Sequence, residues 1–65
     1  MNVIMNKKNK QIQDGSRVID LLVSAGLSKR VAVWVNDQRL MQKEYETRQL
    51  QEGDQVRVLR PLGGG

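Results

Sequence analysis

The chain has 65 residues, 11 of them basic and 7 acidic, for a net charge of +4, which allows one domain and leaves no room for a second. Neither cysteine nor histidine occurs, so disulfides, thiolate metal ligands and a histidine-activated nucleophile are excluded, and a zinc site would have to be built from carboxylates alone. A chain this short buries only about 60% of the surface it exposes when unfolded, enough for one small core but not for a deep, lidded pocket.

No apolar run approaches the roughly 20 residues of a membrane span. The opening Met1-Asn2-Val3-Ile4-Met5 is too short and mixed for a signal peptide, so a cytoplasmic protein with no membrane partner is expected. The positive charge reads as a solvated basic surface.

In chain order, Met1, Val3 and Met5 alternate as in a β-strand. Asn6-Lys7-Lys8-Asn9 is a polar turn, and a second strand is expected over Lys10 to Gln13 with Ile12 inward. Ser16 is the candidate N-cap of a helix over Arg17 to Ala25, whose apolar face is Val18, Leu21, Leu22 and Ala25. Asp20 suits the positive end of the helix dipole, and Gly26 is placed to stop the helix.

Val31, Val33 and Val35 then alternate in a β-branched strand. Asn36-Asp37 marks a turn into a short return strand over Arg39-Leu40-Met41. Lys43 to Arg48 has no period and reads as a loop with one helical turn, from which Tyr45 and Leu50 plug the core edge. Glu52-Gly53-Asp54 is a turn, with Asp54 satisfying backbone amides, and Gln55 to Leu59 is the last strand, with Val56 and Val58 inward. Pro61 ends that strand. The division is a folded body over 1–60 and a flexible tail over 61–65, and the class is α+β, a mixed four- to five-stranded sheet with one helix on one face.

This element order resembles the β-grasp, the ubiquitin fold. Three stretches sharpen the likeness: Asp14-Gly15-Ser16-Arg17-Val18 leading into Leu21-Leu22, Val33-Trp34-Val35-Asn36 followed by Leu40-Met41, and Leu50-Gln51-Glu52-Gly53-Asp54-Gln55-Val56 running on to Arg60-Pro61-Leu62-Gly63-Gly64-Gly65. Together they resemble the small sulfur carriers of thiamine biosynthesis, the ThiS family, over nearly the whole chain. Where that family often has threonine, Arg17 stands here.

A chain without histidine or cysteine still owns one reactive group at a fixed address, its terminal carboxylate, ionised above a pKa of about 3.5. A carboxylate becomes an acyl donor once it is joined to AMP, and a sulfur nucleophile can then convert the adenylate to a thiocarboxylate. Gly63, Gly64 and Gly65 lack a Cβ and can thread a narrow channel, although a frayed terminus has the same composition. The resemblance implies that Gly65 is adenylated by an ATP-dependent, ThiF-like enzyme of the ubiquitin-activating type. It further implies that a cysteine desulfurase or other persulfide donor supplies sulfur and that a ThiG-like thiazole synthase receives it. The chain would then be a co-substrate and not an enzyme. It would bind no cofactor or metal, and ATP would be used by the activating partner.

Strand alternation puts Trp34, Arg57 and Leu59 on the sheet face opposite the helix, with Ile4 beside them and Arg60 and Leu62 continuing towards the tail. This is a partner-binding surface if Trp34 is an interaction anchor, or a packing detail if Trp34 lies flat on its own sheet. Sulfur carriage for molybdopterin or tRNA thiolation, conjugation to lysines as a ubiquitin-like modifier, and a small RNA-binding module are the alternatives. The last is disfavoured because Trp34 and Tyr45 are the only aromatics.

Overall fold

The computed structural model describes residues 1–60. The tail expected over 61–65, with Leu62, Gly63, Gly64 and Gly65, lies outside the described residues. Five strands form one mixed sheet: β1 (Asn2–Met5), β2 (Lys8–Gln11), β3 (Ala32–Val35), β4 (Gln38–Arg39) and β5 (Gln55–Leu59), in the order β2-β1-β5-β3-β4. β5 runs parallel to β1 and antiparallel to β3. One helix, α1 (Val18–Ser24), packs on one face, and a 3-10 turn (Gln42–Glu46) packs against α1. This is the β-grasp.

Alternation does most of the work of building the core. Val3 of β1, Val33 and Val35 of β3, and Val56 and Val58 of β5 point to one side, where Val18, Leu21 and Leu22 of α1 meet them. At seven residues α1 is too short to persist alone, so this contact is what keeps it helical. Val31, Leu40, Tyr45 and Leu50 fill the rim from the loops, and the Tyr45 hydroxyl donates to the Val31 carbonyl at 2.7 Å. Among the described residues no helix is long and apolar enough to cross a membrane.

Three elements differ from expectation, each for a local reason. β2 begins at Lys8, two residues before the expected Lys10, because the hairpin turn is only Asn6-Lys7, with Met5 opposite Lys8. Both turn residues have positive φ, 49° and 70°, as the tightest hairpins require. The second hairpin repeats the device at Asn36-Asp37, with φ of 51° and 68°, so β4 is Gln38–Arg39 and not Arg39-Leu40-Met41. At the start of α1, Ser16 does not cap the helix. Its hydroxyl donates to the Gln13 carbonyl, and the capping group is the Asp20 carboxylate, which accepts from the Arg17 backbone N–H at 2.9 Å.

The end of α1 is as expected, and Gly26 is required there. Its φ is +73°, its N–H reaches the Val23 carbonyl, and the Leu27 N–H reaches the Leu22 carbonyl at 2.8 Å, which closes a Schellman motif. A Cβ at Gly26 would meet nothing within 4 Å, so any penalty comes from the backbone alone. Gly26→Ala is therefore expected to lower stability by about 1–2 kcal/mol. Urea denaturation would show this as a lower midpoint with an unchanged slope.

Candidate functional site

β5 is the strand that leads to the tail, and two asparagines from the two hairpin turns clasp it from opposite sides. From the β1 side, the Asn6 side chain accepts from the Val58 N–H at 2.9 Å and donates to the Val58 carbonyl at 3.3 Å, while its backbone N–H bonds the Val56 carbonyl. From the β3 side, the Asn36 side chain accepts from the Gln55 N–H at 3.0 Å and donates to Asp54 at 3.0 Å. The other Asp54 oxygen accepts from the Gln51 N–H at 2.8 Å, so Asp54 does satisfy its turn. Side-chain amides thus extend the ladder where backbone neighbours run out.

The outer face of the sheet carries Ile4, Trp34, Arg57 and Leu59 together, as alternation requires. Ile4 and Trp34 are half-buried, Arg57 is exposed, and Leu59 is 51% exposed opposite Ala32. Trp34 neither projects freely nor lies bare against the sheet. It pairs directly across the ladder with Arg39 of β4 and with Arg57 of β5. Their guanidinium carbons lie over its ring at 5.0 Å and 4.7 Å from the centroid. Each such contact contributes about 0.5–1 kcal/mol at an exposed site. Beside the ring is a shallow cavity of about 200 Å³ bounded by Ile4, Lys7, Trp34, Asp37, Gln55 and Arg57.

Arg60 does not extend this patch. Counting on from Val56 and Val58, it falls in phase with the inward residues, and it lines a depression with Gly26, Leu27, Arg30 and Val31 at the C-terminal end of α1. Arg39, to which sequence reasoning gave no role, belongs to the patch instead. Its signal was the Asn36-Asp37 dipeptide, since a two-residue turn puts Arg39 directly opposite Trp34.

The acidic side chains are mostly structural. Asp14 pairs with the chain's N-terminal ammonium at 3.1 Å and Glu46 pairs with Lys29. Asp20, Glu44, Glu52 and Asp54 each accept from a backbone N–H. Among the described residues no three carboxylates gather as a metal site.

The model of the ThiS family matches residues 3–65. Two solved structures, both of a thiamine biosynthesis protein from Geobacter metallireducens, are similar in fold and sequence. The crystal structure of that protein, ThiS, superposes with a TM-score of 0.85 at 26% identity, over 100% of both chains. The solution NMR structure superposes with a TM-score of 0.80 at 26% identity, over 100% of this chain and 88% of the other. No curated protein matches the chain.

Proposed function

The chain belongs to the ThiS family, the small sulfur carriers of thiamine biosynthesis, and from that premise we propose that it carries its sulfur as a thiocarboxylate on Gly65. The carboxylate oxygen attacks the α-phosphorus of ATP on a ThiF-like adenylyltransferase and expels pyrophosphate. A persulfide sulfur from a cysteine desulfurase or similar donor then attacks the acyl carbon and expels AMP. Reduction of the resulting S–S bond by a thiol leaves the thiocarboxylate, which a ThiG-like thiazole synthase consumes. The chain is a co-substrate in this scheme and binds no cofactor, and the need for ATP puts it in the cytoplasm.

The observation that carries this proposal is the extent of the family match, which runs through the last strand and on to residue 65. Support for thiazole as the product, over molybdopterin or thiolated tRNA, comes from the similar structures, both of a thiamine biosynthesis protein. The test is intact mass spectrometry of protein ending at Gly65, after incubation with a ubiquitin-activating-type adenylyltransferase, ATP and a persulfide donor. A mass gain equal to one oxygen replaced by one sulfur is expected. No adenylate and no thiocarboxylate, with a known carrier reacting alongside, would sink the proposal.

In this scheme the outer sheet face holds the body while the tail reaches the adenylation site. A glycine tail loses much conformational freedom on docking, so affinity has to come from the folded domain. Trp34→Ala is expected to weaken binding to the activating enzyme about tenfold or more, with only a small fall in melting temperature. Isothermal titration beside a thermal melt checks both. Normal binding with a large loss of stability would make Trp34 a packing residue only.

A further inference from the structure

From the Arg39–Trp34–Arg57 stack we infer that the partner surface docked on this face is acidic, presenting carboxylates to the two guanidiniums around an apolar contact. This inference rests on the carrier function above, and the partner it commits to is the activating enzyme. Both guanidinium carbons lie within 5.0 Å of the centre of one ring, so the two cations are separated by less than twice that distance. Among the described residues neither makes an ion pair or a side-chain hydrogen bond: the ion pairs are Met1 with Asp14 and Lys29 with Glu46, both elsewhere. Two like charges gathered at one ring concentrate positive potential there, which a carboxylate brought by a partner complements.

The local charge balance points the same way. The ring and its adjoining cavity are bordered by Lys7, Arg39 and Arg57, against Asp37 alone. The remaining acidic residues are held by their own backbone or cationic neighbours. Stacking on Trp34 also orders the two arginines in advance. A guanidinium over a ring uses its flat face and leaves its in-plane N–H donors for a bidentate carboxylate. Part of the side-chain freedom that would otherwise be lost on binding is already restricted.

A single-stranded nucleic acid fits the face less well. Tyr45, the other aromatic, is 2% exposed, and the ring of Trp34 is covered by the arginines, so no run of open rings remains for bases to stack on. Ile4 and Leu59, flanking the stack, suit an apolar protein contact instead.

The test is stopped-flow association of the full chain with the activating enzyme, at low and at physiological salt. The variants are Arg39→Gln/Arg57→Gln and Arg39→Lys/Arg57→Lys, with circular dichroism to check folding. For the unsubstituted chain, the association rate should fall steeply with salt. In the glutamine pair it should be about tenfold lower at low salt and nearly independent of salt. The lysine pair keeps both charges without the planar fork, so it should associate normally and dissociate about tenfold faster. If the glutamine pair melts early, the salt dependence of the unsubstituted chain and the lysine pair still decide: an association rate independent of salt in both overturns the acidic partner, and unchanged dissociation of the lysine pair removes the bidentate carboxylate contact. Equal association rates and salt slopes for the glutamine pair and the unsubstituted chain, with adenylation intact, would overturn this inference and leave the carrier function standing. An unsubstituted chain that neither binds nor is adenylated would overturn both. Salt-sensitive binding to a uridine-rich oligonucleotide in place of the enzyme would overturn the acidic partner.

Discussion

Deleting Gly65 is expected to reduce thiocarboxylate formation below detection while leaving the melting curve unchanged. The deletion adds and removes no charge, because Gly64 then ends in a carboxylate. What changes is reach: the acyl carbon moves back by one residue, about 3.3–3.6 Å of extended chain. Even about 1 Å of misplacement at a reacting atom can cost about a hundredfold in rate, and a displacement several times larger should remove the acyl carbon from the α-phosphorus altogether. Stability is expected to be unaffected because, among the described residues, the buried core runs from Val3 to Val58. Intact mass spectrometry and a thermal melt on the same sample give both readouts. Sulfur transfer at the normal rate in the shortened chain would show that the terminal carboxylate of Gly65 is not the carrier group.

Tyr45→Ala is expected to unfold most of the protein at room temperature. Tyr45 is the largest of the fully buried side chains, and it comes from a 3-10 turn with little structure of its own. Replacing a buried aromatic by alanine costs about 3–5 kcal/mol through lost transfer energy and the cavity left behind. A core in a domain of this size supplies only about 3–5 kcal/mol of net stability, so the two are comparable. Tyr45→Phe separates packing from hydrogen bonding. It keeps the ring but leaves the Val31 carbonyl without its 2.7 Å donor, a loss of about 1–3 kcal/mol. Trp34 is the sole tryptophan and lies on the opposite face from Tyr45, so its fluorescence reports urea unfolding without being altered by either change. A Tyr45→Ala protein with near-native stability would mean that the turn collapses to fill the space.

The sequence was legible where burial imposes a period. Val33 and Val35, then Val56 and Val58, are inward faces of strands, and Val18, Leu21 and Leu22 are one face of a helix, whereas Val31, in phase with Val33, is buried from the bend just before β3. β2 was displaced because Lys8 to Gln11 contains no apolar residue, so an edge strand that is polar on both faces looks like the turn before it. Ser16 misled because a good capping residue was available, yet Gln13 offered its hydroxyl a nearer acceptor, and Asp20 served the helix instead.

For the site, alternation was enough to bring Ile4, Trp34, Arg57 and Leu59 to one face. It was not enough to find Arg39, because that depends on turn length and hence on cross-strand register. Arg60 differs for the opposite reason: it lies next to the tail in sequence, but its phase with Val58 turns it towards Gly26 and Leu27. The clasping asparagines left no trace in composition, since Asn6 and Asn36 look like ordinary turn residues until β5 is set between them.

The strand order β2-β1-β5-β3-β4 has a consequence for how the protein is made. β5, last of the strands along the chain, is the central strand of the sheet. Until it has been synthesised, β1–β2 and β3–β4 are two hairpins with nothing between them, and isolated hairpins are marginal in water. A chain that ends before Gln55 therefore lacks the strand that joins the two hairpins into one sheet and one outer face. The β1–β5 pairing joins Ile4 with Gln55 and Met5 with Val56, so the two ends of the folded body must meet for the sheet to close. The sheet is thus complete only in chains that have been read through to β5.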